Sequence, residues 1–296
     1  MTQIYNIKNK NYEPPSKRKI INPRQNIIPQ QMFIPQNMGG LEYVYVLDPM
    51  TELNNCTGVF IKQQAELFEA ITGCETANRY LVFGQSPEGF KLLFKCRERS
   101  DWFMRNCCPS NLREFNMEIE HITPSPINPM EPPILSTFAN AIKPFKCTMW
   151  CLCRPELFLT LGEGEIGNVK HVFTCFDPLF EVYDENKQLK YLVTADCCQC
   201  GLLCANNVCG KMSEAHFNIL NPGSNQEVGR IIKQTASSFA EMVTDADSYQ
   251  IIFPADANSK DKLLLLSLGL MIDYQFFETN STDQGYGRRR RRHYYY

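Results

Sequence analysis

Residues 260–277 read KDKLLLLSLGLMIDYQFF: a charged start, an almost unbroken apolar run and an aromatic finish. The run from Leu263 to Ile272 is too hydrophobic for a surface helix, because a helix that is apolar on every face has to be buried. It is also too short for a membrane span, which needs roughly 20 apolar residues. The stretch therefore predicts a helix over 260–277 that is either enclosed by protein or a marginal membrane anchor.

Most of the remaining chain alternates apolar and polar residues in short segments separated by turns. Tyr80–Phe83 and Lys91–Phe94 flank a Gly/Pro turn and predict a hairpin. Phe115, Met117 and Ile119 alternate with polar residues, which predicts a strand with one buried face and one wet face. The same pattern predicts further strands at 43–46, 59–61, 157–159, 169–173, 180–183, 191–193, 217–220, 228–232 and 249–253.

Strands of this number and spacing are typical of a β-sandwich or a closed barrel. We favour the barrel, because closure leaves no unpaired strand edge. An all-β shell followed by one apolar helix also suggests that the helix threads the barrel. The predicted fold is therefore mainly β, a closed barrel of about twelve strands around a central hydrophobic C-terminal helix.

Composition sets the compartment and some of the partners. The 296 residues are 44% hydrophobic and 21% charged, and a net charge of −2 disfavours nucleic acid as a partner. The first residues, MTQIYNIKNKNYEPP, contain no apolar secretory segment. We therefore expect the chain on the cytosolic side, where its 14 cysteines stay reduced.

The chain divides by composition into an arm, a domain and a tail. Residues 1–40 are rich in Asn, Gln, Pro and Ile and lack a periodic apolar face, which predicts a disordered arm. The β-rich domain is predicted over 41–279. The tail, 280–296, is either a solvated segment or a binder of anionic lipid, which gains about 1 kcal/mol per basic residue at such a surface. Its basic residues are Arg288, Arg289, Arg290, Arg291 and Arg292.

The clustered cysteines admit three interpretations. Zinc takes four soft ligands in a tetrahedron, often from closely spaced cysteines. Thioester lipidation anchors a protein when a second membrane signal is present. Packing as small buried hydrophobic residues is the third. The zinc candidates are Cys197, Cys200, Cys204 and Cys209, and the lipidation candidates are Cys147, Cys151 and Cys153.

The acidic segment 245–256 partly matches a calcium-binding loop. Asp245, Asp247 and Asp256 occupy loop positions 1, 3 and 12. However, Gln250 stands where the sharp turn needs glycine, and position 12 lacks the longer bidentate glutamate. The segment predicts either weak Ca²⁺ binding, on the order of 10⁻⁴–10⁻³ M, or an acidic turn that leads into a strand.

Catalytic motifs are not evident in the sequence. The histidines, at positions 121, 171, 216 and 293, lie outside any nucleophile or metal motif that we recognise. The sequence contains no glycine-rich phosphate loop, GxSxG or HExxH. We therefore predict that the protein is not an enzyme.

Several motifs, taken together and in order, resemble the phospholipid scramblase family. The resemblance runs from about residue 53 to residue 279 and rests on separately spaced segments. These are CTGVFIKQQAELFEAITGCETANRYLVF (56–83), SDWFMRNCCPSNLREFNMEI (100–119), KCTMWCLC (146–153), EVGRI (227–231), TDADSYQIIFPAD (244–256) and KLLLLSLGLMIDYQFFE (262–278).

The resemblance implies a function and a set of sites. It implies a lipoprotein on the cytoplasmic face of the plasma membrane that moves phospholipids between leaflets in response to calcium and without ATP. It also implies a tubby-like barrel, with membrane phospholipids, anionic lipids or phosphoinositides, and further copies of the chain as partners. The implied calcium-binding residues are Asp245, Asp247, Tyr249, Ile251, Phe253 and Asp256; the implied palmitoylation sites are Cys147, Cys151 and Cys153; the implied membrane helix is 263–277.

The physical chemistry of the last helix disagrees with a membrane span. Asp273 in the middle of a spanning helix would cost about 2.5–3.5 kcal/mol. An outward-facing C-terminus would also place the arginine run on the unfavourable side of the membrane. We therefore predict a helix inside the barrel and a peripheral protein held by acyl chains and the tail. The alternative function is a membrane-tethered lipid- or protein-binding signalling module that does not scramble lipid.

Overall fold

The computed structural model describes residues 48–64, 77–102, 113–123, 132–146, 154–199, 202, 214–234 and 248–277. Twelve β-strands and two helices lie within these ranges. The helices are α1 (Pro49–Asn54) and α2 (Ser259–Ile272), and α2 continues into a π-helical turn (Asp273–Phe277). The strands are β1 (Gly58–Gln63), β2 (Arg79–Ser86), β3 (Gly89–Arg99), β4 (Phe115–Thr123), β5 (Ile134–Lys143), β6 (Glu156–Leu161), β7 (Gly164–Val172), β8 (Leu179–Asp184), β9 (Leu189–Thr194), β10 (Ala215–Leu220), β11 (Glu227–Gln234) and β12 (Ser248–Ile252).

The strands form one closed antiparallel barrel. Each strand pairs with its neighbours in sequence, and β12 pairs with β1 to close the ring. The closing register sets Gly58 opposite Ile252 and Lys62 opposite Ser248. Closure satisfies the backbone hydrogen bonds of the first and last strands, which would otherwise be exposed edges. The predicted mainly β barrel is confirmed.

Helix α2 occupies the centre of this barrel. Every residue from Asp261 to Ile272 is buried, which confirms that the apolar run is enclosed by protein. The helix begins with a capping box, in which Asn258 Oδ1 accepts from the Asp261 N–H at 3.0 Å and Asp261 Oδ2 accepts from the Asn258 N–H at 3.2 Å. Within the described residues, no helix has the length and apolarity that a bilayer crossing requires.

Helix α1 covers the N-terminal end of α2. The buried Lys262 Nζ donates to the carbonyl oxygen of Asn54 at 2.6 Å and to that of Cys56 at 2.9 Å. Glu52 of α1 lies 3.1 Å from His121 Nε2 on β4 and 2.5 Å from Lys91 Nζ on β3. These contacts tie the start of the described chain to its last helix and to the barrel wall.

The two ends of the barrel differ in their connections. At the end where α2 begins, the strands are joined through 87–88, 124–133, 162–163, 185–188 and 221–226, and we call this the short-loop end. At the end where α2 finishes, the connections are 64–78, 100–114, 144–155, 173–178, 195–214 and 235–247, and we call this the long-loop end. Loops carried on a rigid scaffold are where binding residues are usually found.

The structure differs from the predicted strands in several places. Strand β5, ILSTFANAIK, was not predicted, because its core-facing Ala139 and Ala141 are small and its Ile134 and Ile142 are exposed. Strand β7 ends at Val172, so Phe173 belongs to the following loop and not to a strand. The predicted strand at 43–46, the arm and the tail lie outside the described residues, and their boundaries stay predictions.

Candidate functional site at the long-loop end

A cavity of about 260 Å³ opens at the long-loop end beside the last turn of the central helix. Arg154 precedes β6, His171 lies near the end of β7, and Phe276 comes from the π-helical turn. Arg154 and His171 therefore face each other at the open end of the β6–β7 hairpin, and Phe276 joins them from the far end of the chain. The other lining residues are Thr174, Phe176, Pro178, Cys197 and Leu202.

Arg154 and His171 form the polar part of the cavity wall. Arg154 Nη2 lies 2.8 Å from His171 Nε2 and 3.1 Å from Nδ1. A guanidinium can only donate hydrogen bonds, so the imidazole accepts and must be neutral. Burial, reinforced by the Arg154 charge, lowers the pKa of His171 to about 3. The ring is held in place by stacking on Phe180, with the centroids 4.6 Å apart.

Among the residues that the structure describes, no carboxylate offsets the positive charge of Arg154. Within the described residues it makes no ion pair, and its Nε is buried without a hydrogen-bond partner. The nearest acidic residue along the chain, Glu156, instead binds Lys146 Nζ at 2.9 Å and Asn168 Nδ2 at 2.8 Å. Burial also lowers the pKa of Arg154. The cavity is therefore a partly apolar recess with one guanidinium in its wall.

Aromatic side chains project from the same end of the barrel. Phe173 and Phe176, in the loop between β7 and β8, are 48% and 81% exposed. Trp102 and Phe145, in two neighbouring connections, are 58% and 49% exposed. Aromatic side chains of this kind favour the boundary between water and an apolar phase.

A cluster of buried charged and phenolic side chains lies inside the barrel near this end. The Asp273 carboxylate accepts from the Tyr80 hydroxyl at 2.6 Å and from the Tyr249 hydroxyl, and it lies 3.4 Å from Lys233 Nζ. Lys233 Nζ also sits 4.4 Å from the centre of the Tyr249 ring. Strands β2, β11 and β12, which lie on one arc of the barrel around β1, thereby hold the end of the central helix, so the charges have a structural role.

Comparison with known proteins identifies the family. The Scramblase family model matches residues 42–279, which is most of the chain. The chain belongs to the Scramblase family. No solved structure matches it.

Individual scramblases are similar at modest identity. The chain is 28% identical over 248 residues to phospholipid scramblase 1 of Mus musculus, covering 83% of this chain and 66% of that protein. It is 27% identical to the Rattus norvegicus protein, covering 83% and 64%. It is 29% identical over 251 residues to phospholipid scramblase 1 of Homo sapiens, covering 83% and 68%. The chain thus spans about two thirds of the length of these scramblases.

The predicted calcium-binding residues do not lie in one loop. Tyr249 and Ile251 belong to β12, where their side chains are buried in the barrel. Phe253 follows the strand and is also buried, and Asp256 lies in the turn that precedes α2 at the short-loop end. Asp245 and Asp247 lie outside the described residues. Calcium binding by this segment therefore stays a prediction.

The predicted cysteine sites fall mostly outside the described residues. This applies to Cys147, Cys151, Cys153, Cys200, Cys204 and Cys209, and to the arginine run at 288–292. Ligand atoms of Asp196, Cys197 and Cys198 lie within 4.8 Å of one another. Hydrogen bonding with Cys198 and Asp177 raises the pKa of Cys197 to about 11, so zinc would have to displace a proton there. Zinc at the cysteine cluster stays a prediction.

Sequence reasoning did not find the residues that form the cavity. Arg154, His171 and Phe276 are each unremarkable in their local segments, and their proximity depends on the barrel register. The loop FTCFDP (173–178) did carry a signal, because two phenylalanines flank a short turn that ends the strand. The sequence pattern assigns Phe173 to the end of a strand, and that assignment hides its position in the loop.

Proposed function

We propose that this scramblase moves phospholipids in both directions between membrane leaflets, in response to calcium and without ATP. The names of its relatives support lipid movement rather than catalysis as the activity. The observation that carries the proposal beyond family membership is the set of exposed aromatic residues at the long-loop end. In this proposal that end rests on the cytoplasmic face of the plasma membrane.

Several predicted anchors are compatible with that orientation. The segment that contains Cys147, Cys151 and Cys153 begins after Lys146 and ends before Arg154, and both of these flanking residues lie at the long-loop end. The π-helical turn ends with Phe277 at the same end, and the basic tail comes after it in the sequence. Acyl chains, aromatic side chains and arginines would then act on one membrane surface. Two or more such signals are needed for stable anchoring.

The filled barrel limits how lipid could be moved. A headgroup crosses hydrocarbon only if a polar path or a thinned bilayer lowers the cost of losing its hydration. The centre of the barrel is occupied by the buried residues of α2. We therefore propose that scrambling proceeds outside the barrel, at a membrane region perturbed by the long-loop end or by several associated copies.

Calcium would act at the same membrane surface. Ca²⁺ takes 6–8 oxygen ligands, more than Asp245 and Asp247 supply. Because β12 separates these residues from Asp256, we propose that anionic lipid headgroups complete the coordination. Calcium would then strengthen the contact between the long-loop end and the membrane.

A second function is a tethered lipid- or protein-binding module that does not scramble. The occupied barrel centre favours it, because such a module needs a surface and no path for headgroups. Phosphoinositides and other anionic lipids are the ligands we propose for it. Self-association is not required for this function.

A liposome assay distinguishes the two functions. We expect the full-length chain, reconstituted with a fluorescently labelled phospholipid, to equilibrate the label between leaflets faster when calcium is added. We expect Asp245→Ala combined with Asp247→Ala to abolish the calcium effect, since it removes the two acidic residues that the predicted calcium-binding segment contributes before β12. The matched control is Glu88→Ala with Glu163→Ala, which removes two exposed acidic residues at the short-loop end. Binding of the liposomes without any movement of label would favour the module instead.

A further inference from the structure

We propose that the cavity at Arg154 binds the phosphodiester group of a membrane phospholipid. The proposal rests on the proposed function in one respect, namely that the long-loop end faces a membrane. The cavity would hold one headgroup, with Arg154 on the phosphate and the aromatic residues beside the glycerol and the first carbons of the acyl chains.

The positive charge of Arg154 in the cavity wall favours a negatively charged group on the ligand. Arg154 is a partly buried cation without a carboxylate partner among the described residues, and its Nε has no acceptor. A buried charge without a partner is costly, so an anion that enters the cavity offsets that cost. Arginine presents its N–H groups as a planar fork, which suits the oxygens of a phosphate better than a single point charge would.

His171 positions the guanidinium for this contact. It is neutral and accepts from Nη2, which turns one edge of the guanidinium toward the protein. The Nε donor is buried and has no acceptor among the described residues, so the protein does not satisfy all the hydrogen bonds of the guanidinium. Stacking on Phe180 fixes the ring, so the guanidinium is held by a rigid acceptor and not by a flexible carboxylate.

The remaining wall selects a lipid headgroup over a bare anion. Phe176, Phe276, Leu202 and Pro178 form its apolar part. A volume of about 260 Å³ is just below the range of roughly 300–1,000 Å³ that is usual for small-molecule sites. That space suits a headgroup with its glycerol but not a whole phospholipid. An acyl chain alone would leave the guanidinium without an anion.

The test uses a soluble phospholipid, so that neither a bilayer nor transport is required. Dihexanoylphosphatidylcholine, kept below its micelle concentration, is titrated calorimetrically into the full-length chain. Its net charge of zero minimises non-specific attraction. We expect Arg154→Gln to weaken binding by roughly tenfold to a hundredfold, as loss of a charged hydrogen bond implies. The matched control, Arg99→Gln, removes an exposed arginine at the same end that pairs with Glu118 at 2.9 Å, and it should bind like the wild type.

Two further measurements identify the source of the phosphate and guard against misfolding. Phe176→Ser alters an exposed side chain, so it should keep the melting temperature but lose several-fold in affinity for the lipid. Inorganic phosphate and glycerophosphocholine, which lack acyl chains, should bind at least tenfold more weakly than the lipid.

The proposal is overturned if Arg154→Gln binds like the wild type, if Arg99→Gln loses as much affinity, or if inorganic phosphate binds as tightly as the lipid. The two experiments distinguish a wrong cavity assignment from a wrong proposed function. A chain that scrambles label in liposomes but does not bind the soluble lipid refutes only the cavity. A chain that binds the soluble lipid but moves no label refutes only the scrambling.

Discussion

At the scale of single residues, His171 combines burial with a cationic neighbour, and both oppose its protonation. The ring lies between Phe180 and Phe276 and accepts a hydrogen bond from Arg154. In the folded protein its pKa falls to about 3, well below the ordinary value of 6.5. A histidine that binds a proton only after unfolding makes the folded state less stable in acid.

This shift predicts a pH-dependent stability. Between pH 6.5 and about 3 the unfolded chain protonates this ring and the folded chain does not, so stability falls as the pH is lowered through that window. When the pH is lowered from 7 to 5, the free energy of unfolding should fall by about 2 kcal/mol less in His171→Gln than in the wild type. Urea unfolding at the two pH values measures this difference. At pH 8 the ring is neutral in both the folded and the unfolded state. A difference in unfolding free energy between His171→Gln and the wild type at that pH therefore reports packing alone. Parallel pH profiles for the two proteins would refute the expectation.

At the scale of elements, the fit between the barrel wall and the central helix depends on Gly167 in β7. Its φ is +156°, which L side chains rarely adopt. A Cβ at this position would overlap the carbonyl oxygen of Tyr183 and lie 2.8 Å from Leu264 Cδ1 of α2. The strand can therefore bend close to the helix only because this residue has no side chain.

Gly167→Ala should consequently destabilise the barrel by about 2–4 kcal/mol, since it combines backbone strain with overlap in a packed core. The measurement is the free energy of unfolding in denaturant. Gly164→Ala is the matched control in the same strand, because the nearest atom to its added Cβ is 3.8 Å away. We expect the control to change stability by less than about 1 kcal/mol. Equal effects of the two substitutions would show that the close approach is unimportant.

At the scale of the whole molecule, the barrel has two dissimilar ends. The long-loop end carries exposed aromatic residues, the cavity and the exit of the central helix. The short-loop end also exposes apolar side chains, among them Phe90 and Leu135. Only a comparison of the two ends can therefore establish which one contacts a membrane.

We expect Phe173→Ser with Phe176→Ser to weaken binding of the unacylated chain to anionic vesicles by about tenfold or more, because two aromatic side chains no longer enter the interface. Phe90→Ser with Leu135→Ser removes the same number of exposed apolar side chains at the short-loop end and should leave binding unchanged. Co-sedimentation at several lipid concentrations measures both. If the second pair causes the larger loss, the proposed orientation is reversed.

The sequence alone determined the architecture, because the signals that specify it are local. The run 263–272 is apolar on every face, which favours enclosure by protein, and the period-two segments around it favour a closed barrel over a sandwich because closure leaves no strand edge. The motifs that resemble the scramblase family are likewise contiguous, and most of the chain matches that family. Strand β5 escaped prediction because Ala139 and Ala141 give a weak apolar signal, although both are fully buried.

Only the tertiary structure decided where the chemistry is brought together. Arg154, His171 and Phe276 come from three elements, and their contact depends on strand register and on the length of α2. The same topology places Tyr249 and Ile251 in β12 and Asp256 in the turn before α2, although the sequence presents 245–256 as one acidic segment. The physical reason is that hydrophobic periodicity records which face of a strand is buried, whereas barrel closure sets which strand ends become neighbours.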